Sequence, residues 1–139
     1  ISWNWVCGAF LPDPPELNPA ARFCYHDLME PRLIVQIPCF NEETWIDRTI
    51  LSCIDQDYPP DKLEIIIVDD GSSDQSVSVI KSTVEKLWQE SSRFMTQERI
   101  RVFFQRHNQG KREAMALGIR NTRTELVAFV DSDSFLEPD

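Results

Sequence analysis

Two aspartates, Asp131 and Asp133, follow the apolar run at residues 126–130 and are separated by one serine. An apolar run of this length predicts a buried β-strand, which places both acids at its carboxyl end. Carboxylates this close repel each other and are costly to desolvate, and a divalent cation relieves both effects. Hard oxygen ligands favour Mg²⁺ or Mn²⁺. The pair therefore predicts a metal site, the alternative being a solvated acidic turn.

The elements that must position these acids form an alternating series. β-Branched and apolar runs predict strands, and apolar residues at helical spacing predict helices. The predicted strands are residues 33–37, 63–68, 100–104 and 126–130, and the predicted helices are residues 45–56, 75–90 and 113–120. Connections that contain a helix favour parallel, right-handed pairing. The predicted fold class is α/β, with a mostly parallel four-stranded sheet flanked by helices on both faces.

Polar residues follow every predicted strand, and the carboxyl ends of parallel strands share one edge where ligands bind. These residues are Asn41, Glu42, Asp69, Asp70, Lys111, Arg112, Asp131 and Asp133. Together they offer acceptors for a base and a ribose, acids for a metal, and cations for phosphates. Gly110 and Lys111 lie where a helix begins, which predicts an anion site. The joint pattern predicts that the chain binds a nucleoside diphosphate.

Several of the same loop residues are also candidates to cap helices. Asn41 or Thr44 is predicted to cap the first helix, and Ser73 or Asp74 the second. Gly71, between the second strand and its helix, predicts a tight turn with a positive φ.

Composition excludes other classes of function. The formal net charge is -9 with no basic run, which argues against nonspecific nucleic-acid binding. No G-x-G-x-x-G follows the first strand, as a dinucleotide-binding dehydrogenase would require. The cysteines lack C-x-x-C spacing and predict reduced, mostly buried thiols: Cys7, Cys24, Cys39 and Cys53. No stretch reaches 18 apolar residues.

The domain boundary is predicted at Pro31, where a Pro-rich lead segment (residues 1–31) ends and the nucleotide-binding domain (residues 32–139) begins. The chain starts at Ile1 and stops soon after Asp133, so we expect it to be part of a longer protein with a truncated domain. Trp3 and Trp5 predict either a membrane-interface belt that follows a membrane span or a hydrophobic tail packed on the domain.

Four motifs together resemble family 2 glycosyltransferases of the GT-A fold, in the same order and over residues 32–139. The motifs are Pro38-Cys39-Phe40-Asn41-Glu42-Glu43, Val68-Asp69-Asp70-Gly71-Ser72-Ser73-Asp74, Asn108-Gln109-Gly110-Lys111-Arg112-Glu113-Ala114 and Val130-Asp131-Ser132-Asp133. Within the third motif, residues 110–114 are most similar to the processive membrane synthases of hyaluronan and chitin.

The resemblance implies a role for individual residues. The implied nucleotide-sugar-binding residues are Pro38, Glu42, Asp70, Lys111 and Asp131. Asp70 would accept a hydrogen bond from the uracil ring N–H, and Lys111 would reach the nucleotide. Asp131 and Asp133 would hold Mg²⁺ or Mn²⁺. Arg112 would support the loop or a phosphate, unless it pairs with Glu113 or a strand-end acid.

The implied function is transfer of a sugar from a UDP-sugar to an acceptor hydroxyl with inversion, in polysaccharide synthesis. The parent protein would be integral to a membrane with this domain cytoplasmic, and the fragment itself soluble. The family's catalytic base and its Gln-x-x-Arg-Trp motif are expected beyond Asp139, so no catalytic residue is assigned and this fragment alone is expected to be inactive. The alternatives are a non-catalytic nucleotide-binding module and a haloacid dehalogenase-type phosphatase, which the position of Asp131 after the fourth strand disfavours.

Overall fold

In the computed structural model, which describes residues 3–6, 9–12, 31–90, 99–124 and 126–138, the chain divides into two units, Ile1–Pro31 and Arg32–Asp139. In the first unit, β1 (Trp3–Val6) and β2 (Ala9–Pro12) pair antiparallel. The sequence analysis did not predict this hairpin. Pro12 lies at the end of a strand with one partner, a position that tolerates a missing N–H. No helix in the described ranges is both long and apolar enough to cross a membrane.

The second unit contains a four-stranded sheet whose strands are all parallel and lie in the order β5-β4-β3-β6. Its strands are β3 (Leu33–Cys39), β4 (Leu63–Asp69), β5 (Ile100–Phe104) and β6 (Leu126–Phe129). The connections contain helices α1 (Ile46–Ile54), α2 (Ser76–Glu90) and α3 (Lys111–Arg120). The predicted α/β fold class, with its parallel four-stranded sheet, is confirmed.

The two faces of the sheet bury separate sets of side chains, because alternate residues of a strand point to opposite faces. On one face, Val35, Ile37, Ile65 and Ile67 pack with residues of α1 and α2. On the other face, a smaller cluster packs around Ala114 of α3. The central strands β3 and β4 are thus covered on both faces, as their nearly continuous apolar sequences predict.

One polar side chain, Gln36, is buried within β3 and tethers α3 to the sheet. Its Nε2 donates hydrogen bonds to the carbonyl oxygens of Ala114 and Met115, each at 3.0 Å. A Cβ on Gly118 would lie 2.2 Å from Gln36 Nε2, so only glycine allows this approach. A helix that packs this close to the strand fixes the position of its first residue, Lys111.

The prediction that residues 126–130 form a fully buried strand was wrong in part. Leu126 and Phe129 are each 41% exposed, although Val130 is buried. The reason is topological, because β6 pairs with β3 on one side and with no described strand on the other. Asp131 and Asp133 therefore follow a strand that lies at the edge of the described sheet.

Candidate functional site

The carboxyl ends of β3, β4 and β6 and the start of α3 surround a cavity of about 310 Å³, within the size range of small-ligand sites. All six residues predicted to bind the nucleotide-sugar or the metal line this cavity: Pro38, Glu42, Asp70, Lys111, Asp131 and Asp133. The remaining lining residues are Cys39, Phe40, Asn108, Ala114 and Ser132. Arg112 is exposed and does not line the cavity, and it forms no ion pair within the described ranges.

Across the cavity, Lys111 Nζ donates a hydrogen bond to Asp131 Oδ1 at 2.5 Å. Lys111 is the first residue of α3, two residues earlier than the predicted start of that helix. The two side chains are 58% and 55% exposed, so solvent screens the pair and it adds little to stability. Such a pair is free to rearrange when an anion or a cation enters the cavity.

Asp70 is 2% exposed, and both of its carboxylate oxygens accept backbone hydrogen bonds. Oδ1 accepts the N–H of Gln109 at 2.8 Å, and Oδ2 accepts the N–H of Gly110 at 2.7 Å. The carboxylate therefore holds the loop that leads into Lys111, a function the sequence analysis missed. A carboxylate has about four acceptor sites, so Asp70 retains capacity for a ligand N–H.

Gly71 brings the backbones of two strand-end loops into contact. Its φ is 71°, which confirms the predicted turn. A Cβ at this position would lie 2.6 Å from the carbonyl carbon of His107 and 2.7 Å from the nitrogen of Asn108. The loop that carries Lys111 thus rests directly on the turn after β4.

The loop after β3 binds the turn after β4 through polar side chains. Asn41 Oδ1 accepts the N–H of Ser73 at 2.8 Å, and the N–H of Asn41 donates to Ser72 Oγ at 2.9 Å. Glu43 Oε2 accepts the N–H of Gln75 at 2.7 Å. Asn41, which was predicted to offer an acceptor to a ligand, therefore uses its side-chain oxygen on the neighbouring turn.

The prediction that Asn41 or Thr44 caps the first helix was wrong. Asn41 and Thr44 do not cap α1, which begins after Trp45 with no side-chain cap. Asn41 takes a positive φ of 55° and uses its oxygen on the neighbouring turn instead. The prediction for Asp74 is confirmed, because its Oδ1 accepts the N–H of Ser76, the first residue of α2, at 2.9 Å.

Helix α1 fixes the turn that carries the paired aspartates. Thr49 Oγ1 donates to the carbonyl oxygen of Ser132 at 2.8 Å, and both residues are buried. Ser52 Oγ accepts the N–H of Leu136 at 3.2 Å. Sequence reasoning interpreted α1 as a core helix and nothing more, since a Thr on the buried face gives no signal of such a partner.

The arrangement of acids fits a metal that arrives with a diphosphate. Asp133 is exposed and has no hydrogen-bonding partner in the described part of the chain. The described residues contain no group of three acidic, histidine or cysteine side chains that could hold a metal without other ligands. Mg²⁺ usually combines one or two carboxylates with substrate phosphates and water, which Asp131 and Asp133 can satisfy.

The cavity does not contain a reactive thiol. Burial, followed by the charge of Asp69, raises the pKa of Cys39 to about 12, and burial raises the pKa of Cys53 to about 11. Both thiols are therefore protonated at neutral pH and are poor nucleophiles. The prediction of reduced, buried cysteines is confirmed for this pair, while Cys7 and Cys24 lie outside the described residues.

Comparison with known proteins agrees with this geometry. Residues 34–139 match the model of Glycosyl transferase family 2. The chain is 36% identical over 110 residues to an N-acetylglucosaminyltransferase of Bradyrhizobium elkanii, covering 78% of this chain and 55% of the relative.

Among the solved structures that resemble this chain are two that are each 25% identical to it. The mannosyltransferase PcManGT from Pyrobaculum calidifontis, in complex with GDP-Man and Mn²⁺, gives a TM-score of 0.65 and covers 86% of this chain and 37% of its own. The structure of residues 1–349 of S. aureus TarS, in complex with UDP-GlcNAc, gives a TM-score of 0.55. The match covers 73% of this chain and 26% of that TarS chain. The chain thus spans less than two thirds of the length of each of these three proteins.

The structural similarity confirms the GT-A architecture. The family match extends over most of the sheet-bearing unit and includes the loops after β3, β4 and β5 and the paired aspartates. The chain belongs to glycosyl transferase family 2.

Proposed function

We propose that this chain binds the donor of a sugar-transfer reaction, a UDP-sugar, in the cavity at the carboxyl edge of its sheet. The observation that carries the proposal is the convergence of six residues from four separated motifs on that one cavity. Two exposed carboxylates lie at one side of it, and an exposed lysine reaches the same place. This is the set of groups that a diphosphate and its metal require.

The donor that the comparisons favour is UDP-N-acetylglucosamine. The Bradyrhizobium relative is an N-acetylglucosaminyltransferase, and TarS was solved with UDP-GlcNAc. In this chain, Pro38 and Glu42 would lie beside the base and the ribose. Asp70 would accept a hydrogen bond from the uracil N–H at an acceptor site that its two hydrogen bonds to the loop do not use.

Asp131 and Asp133 would hold Mg²⁺ or Mn²⁺ together with the diphosphate. The bound metal would stabilise the negative charge that develops on the leaving diphosphate. Lys111 would exchange its ion pair with Asp131 for a phosphate oxygen, so that its charge stays compensated. Its place at the amino end of α3 adds the favourable field of that helix.

In the reaction, an acceptor hydroxyl oxygen would form a bond to the anomeric carbon of the sugar. The bond from that carbon to the UDP oxygen would break, and UDP would leave with the electron pair. Attack from the opposite face inverts the anomeric centre. The hydroxyl proton would pass to a carboxylate in a part of the protein beyond residue 139, and for that reason we expect this chain alone not to transfer sugar.

The proposal extends to the full-length protein. The similarity of residues 110–114 to hyaluronan and chitin synthases supports a role in polysaccharide synthesis and a parent that is integral to a membrane with this domain cytoplasmic. Trp3 and Trp5 are of the residue type enriched at membrane interfaces, which supports membrane association of the parent.

Calorimetric titration of this chain with UDP, with and without Mn²⁺, tests the donor site. We expect binding that requires Mn²⁺, and weaker binding of GDP, which presents a different base. Absence of UDP binding to a folded sample and to the full-length protein would refute the proposal.

A second assay separates the alternatives. The full-length protein, incubated with UDP-N-acetylglucosamine and an acceptor glycan, should release UDP and lengthen the glycan. Binding without any transfer would favour the non-catalytic nucleotide-binding module. Membership of the family argues against the phosphatase alternative, and release of phosphate from a simple phosphoester would revive it.

A further inference from the structure

A second cavity, of about 480 Å³, lies at the opposite edge of the sheet, where the strands begin. Arg32 directly precedes β3, while Glu64 and Arg101 are the second residues of β4 and β5. Arg120 ends α3, and Arg123 lies in the connection to β6. The strands span about 20 Å, so this arginine cavity is distinct from the proposed donor site.

The arginine cavity concentrates cations in a chain whose net charge is -9. Arg101 is fixed in place, because its Nη2 donates to Glu64 Oε2 at 3.1 Å and its Nη1 donates to the carbonyl oxygen of Asn121 at 2.7 Å. Among the described residues that line the arginine cavity, Glu64 is the one with an acidic side chain, and its carboxylate is paired with Arg101.

The other three arginines, Arg32, Arg120 and Arg123, are exposed, and none of them pairs with a carboxylate within the described ranges. Guanidinium groups that line one cavity and have no carboxylate partner in the described ranges repel each other. An anion bound among them would relieve that repulsion.

The chemistry of these groups indicates the class of anion. The planar guanidinium fork donates pairs of hydrogen bonds to phosphate oxygens. Apolar side chains beside the cations add to the binding of a lipid surface. Ile119 is 48% exposed next to Arg120, and Leu126 is 41% exposed at the start of β6.

We propose that the arginine cavity binds a phosphate group, either as a free phosphate or as the headgroup of an anionic lipid. The proposal does not depend on the donor site, because the two cavities share no residue.

The test uses this chain with two probes, inorganic phosphate and lipid vesicles. Phosphate is titrated while the backbone amide signals of residues 121–123 are followed by NMR, which distinguishes this cavity from the donor site. Vesicles containing phosphatidylglycerol are compared with phosphatidylcholine vesicles in a sedimentation assay. The variant is Arg120→Gln/Arg123→Gln. Its charge-matched control, Arg48→Gln/Arg106→Gln, alters two exposed arginines outside the cavity.

We expect the variant to weaken binding of at least one probe about tenfold or more, the size of losing charge-assisted hydrogen bonds, while the control leaves it within about twofold. A loss for phosphate identifies a free anion as the source, and a loss confined to phosphatidylglycerol vesicles identifies the lipid headgroup. If neither probe binds, or if the control weakens binding as much as the variant does, the proposal is overturned. Thermal unfolding of both variants verifies that they are folded.

Discussion

Oδ2 of Asp70 accepts a hydrogen bond from the backbone N–H of Gly110 at 2.7 Å, which joins the end of β4 to the start of α3. The carboxylate is nearly inaccessible to solvent, so its charge is balanced by loop N–H groups rather than by water. The proposed phosphate-binding lysine follows Gly110 directly in the chain. The position of Lys111 is therefore set by an acid on another strand.

Replacing Asp70 by alanine should weaken both UDP and pyrophosphate binding, because the loop before Lys111 loses its two acceptors. We expect a stability loss of about 1–2 kcal/mol, because the N–H of Gln109 loses its acceptor while the N–H of Gly110 keeps only Asn108 Oδ1. Denaturant unfolding and calorimetry measure the two effects. If Asp70 also accepts the uracil N–H, UDP affinity should fall further than pyrophosphate affinity. Equal losses would restrict Asp70 to holding the loop, and an unchanged pyrophosphate affinity would contradict the loop function.

Replacing Asp133 by alanine should remove the Mn²⁺ dependence of UDP binding and leave the fold intact, because this exposed side chain has no partner in the described ranges. We expect UDP affinity in Mn²⁺ to fall by about 100-fold, as loss of a metal ligand implies. Glu137→Ala is the matched control, since it removes an exposed acid from the same segment outside the cavity. An Asp133→Ala variant that binds UDP as tightly as the parent chain would refute the metal assignment.

Gly71→Ala should destabilise the chain more than Gly110→Ala. Both glycines have a positive φ, 71° and 94°, so both substitutions incur backbone strain. Only Gly71 would also place its Cβ against the backbone of His107, whereas nothing lies within 4 Å of a Cβ at Gly110. We expect an additional cost of about 1–3 kcal/mol at Gly71, measured by urea unfolding. Equal costs for the two variants would show that the loops separate easily.

Gly118→Ala should destabilise the chain although it lies in a helix, where alanine normally gains about 1 kcal/mol over glycine. The new Cβ would overlap the side chain of Gln36, and we expect a net loss of about 1–3 kcal/mol. A double-mutant cycle with Gln36→Ala isolates the clash, because the shorter side chain makes room. Gly118→Ala should cost less stability in the Gln36→Ala background than in the parent chain. A purely additive cycle would contradict this close contact.

The pKa of Asp74 gives a pH-dependent prediction. Burial by itself would raise it, but hydrogen bonds from Ser76 and from the N–H of Glu43 hold the pKa below its ordinary value. Because its pKa is lowered in the folded state, the ionised carboxylate stabilises the fold at pH values above the unfolded-state pKa. This stabilisation is lost as the pH falls through the folded-state pKa. The stability difference between the parent chain and Asp74→Asn should therefore shrink on acidification below about pH 4. A difference that stays constant over that range would contradict the prediction.

The order and type of the sheet elements could be predicted because each strand is a short apolar run with a helix between it and the next. The residues that line the cavity could be predicted to lie together because parallel strands end at one edge. Pattern cannot show which polar groups at that edge bind each other. Asn41 was predicted to cap a helix, yet its oxygen accepts a bond from a turn 32 residues away in sequence.

The same limit applies to Thr49, whose hydroxyl partner is 83 residues away. Thr49 lies on the buried face of α1, but helical spacing gives no indication of that partner. The exposure of β6 was missed for a related reason, because hydrophobicity predicts a strand but does not predict whether it has neighbours on both sides.

The edge position of β6 has a consequence for dynamics. This strand contains four residues and pairs with β3, whereas β3 itself contains seven and lies between two strands. Local opening is easiest where few buried contacts and few ladder bonds must break. Amide hydrogen exchange should therefore be fastest in β6 and slowest in β3 and β4. A ligand that bridges Asp131 and Asp133 to the rest of the cavity would slow exchange most at that edge, so donor binding and local stability become a single linked equilibrium.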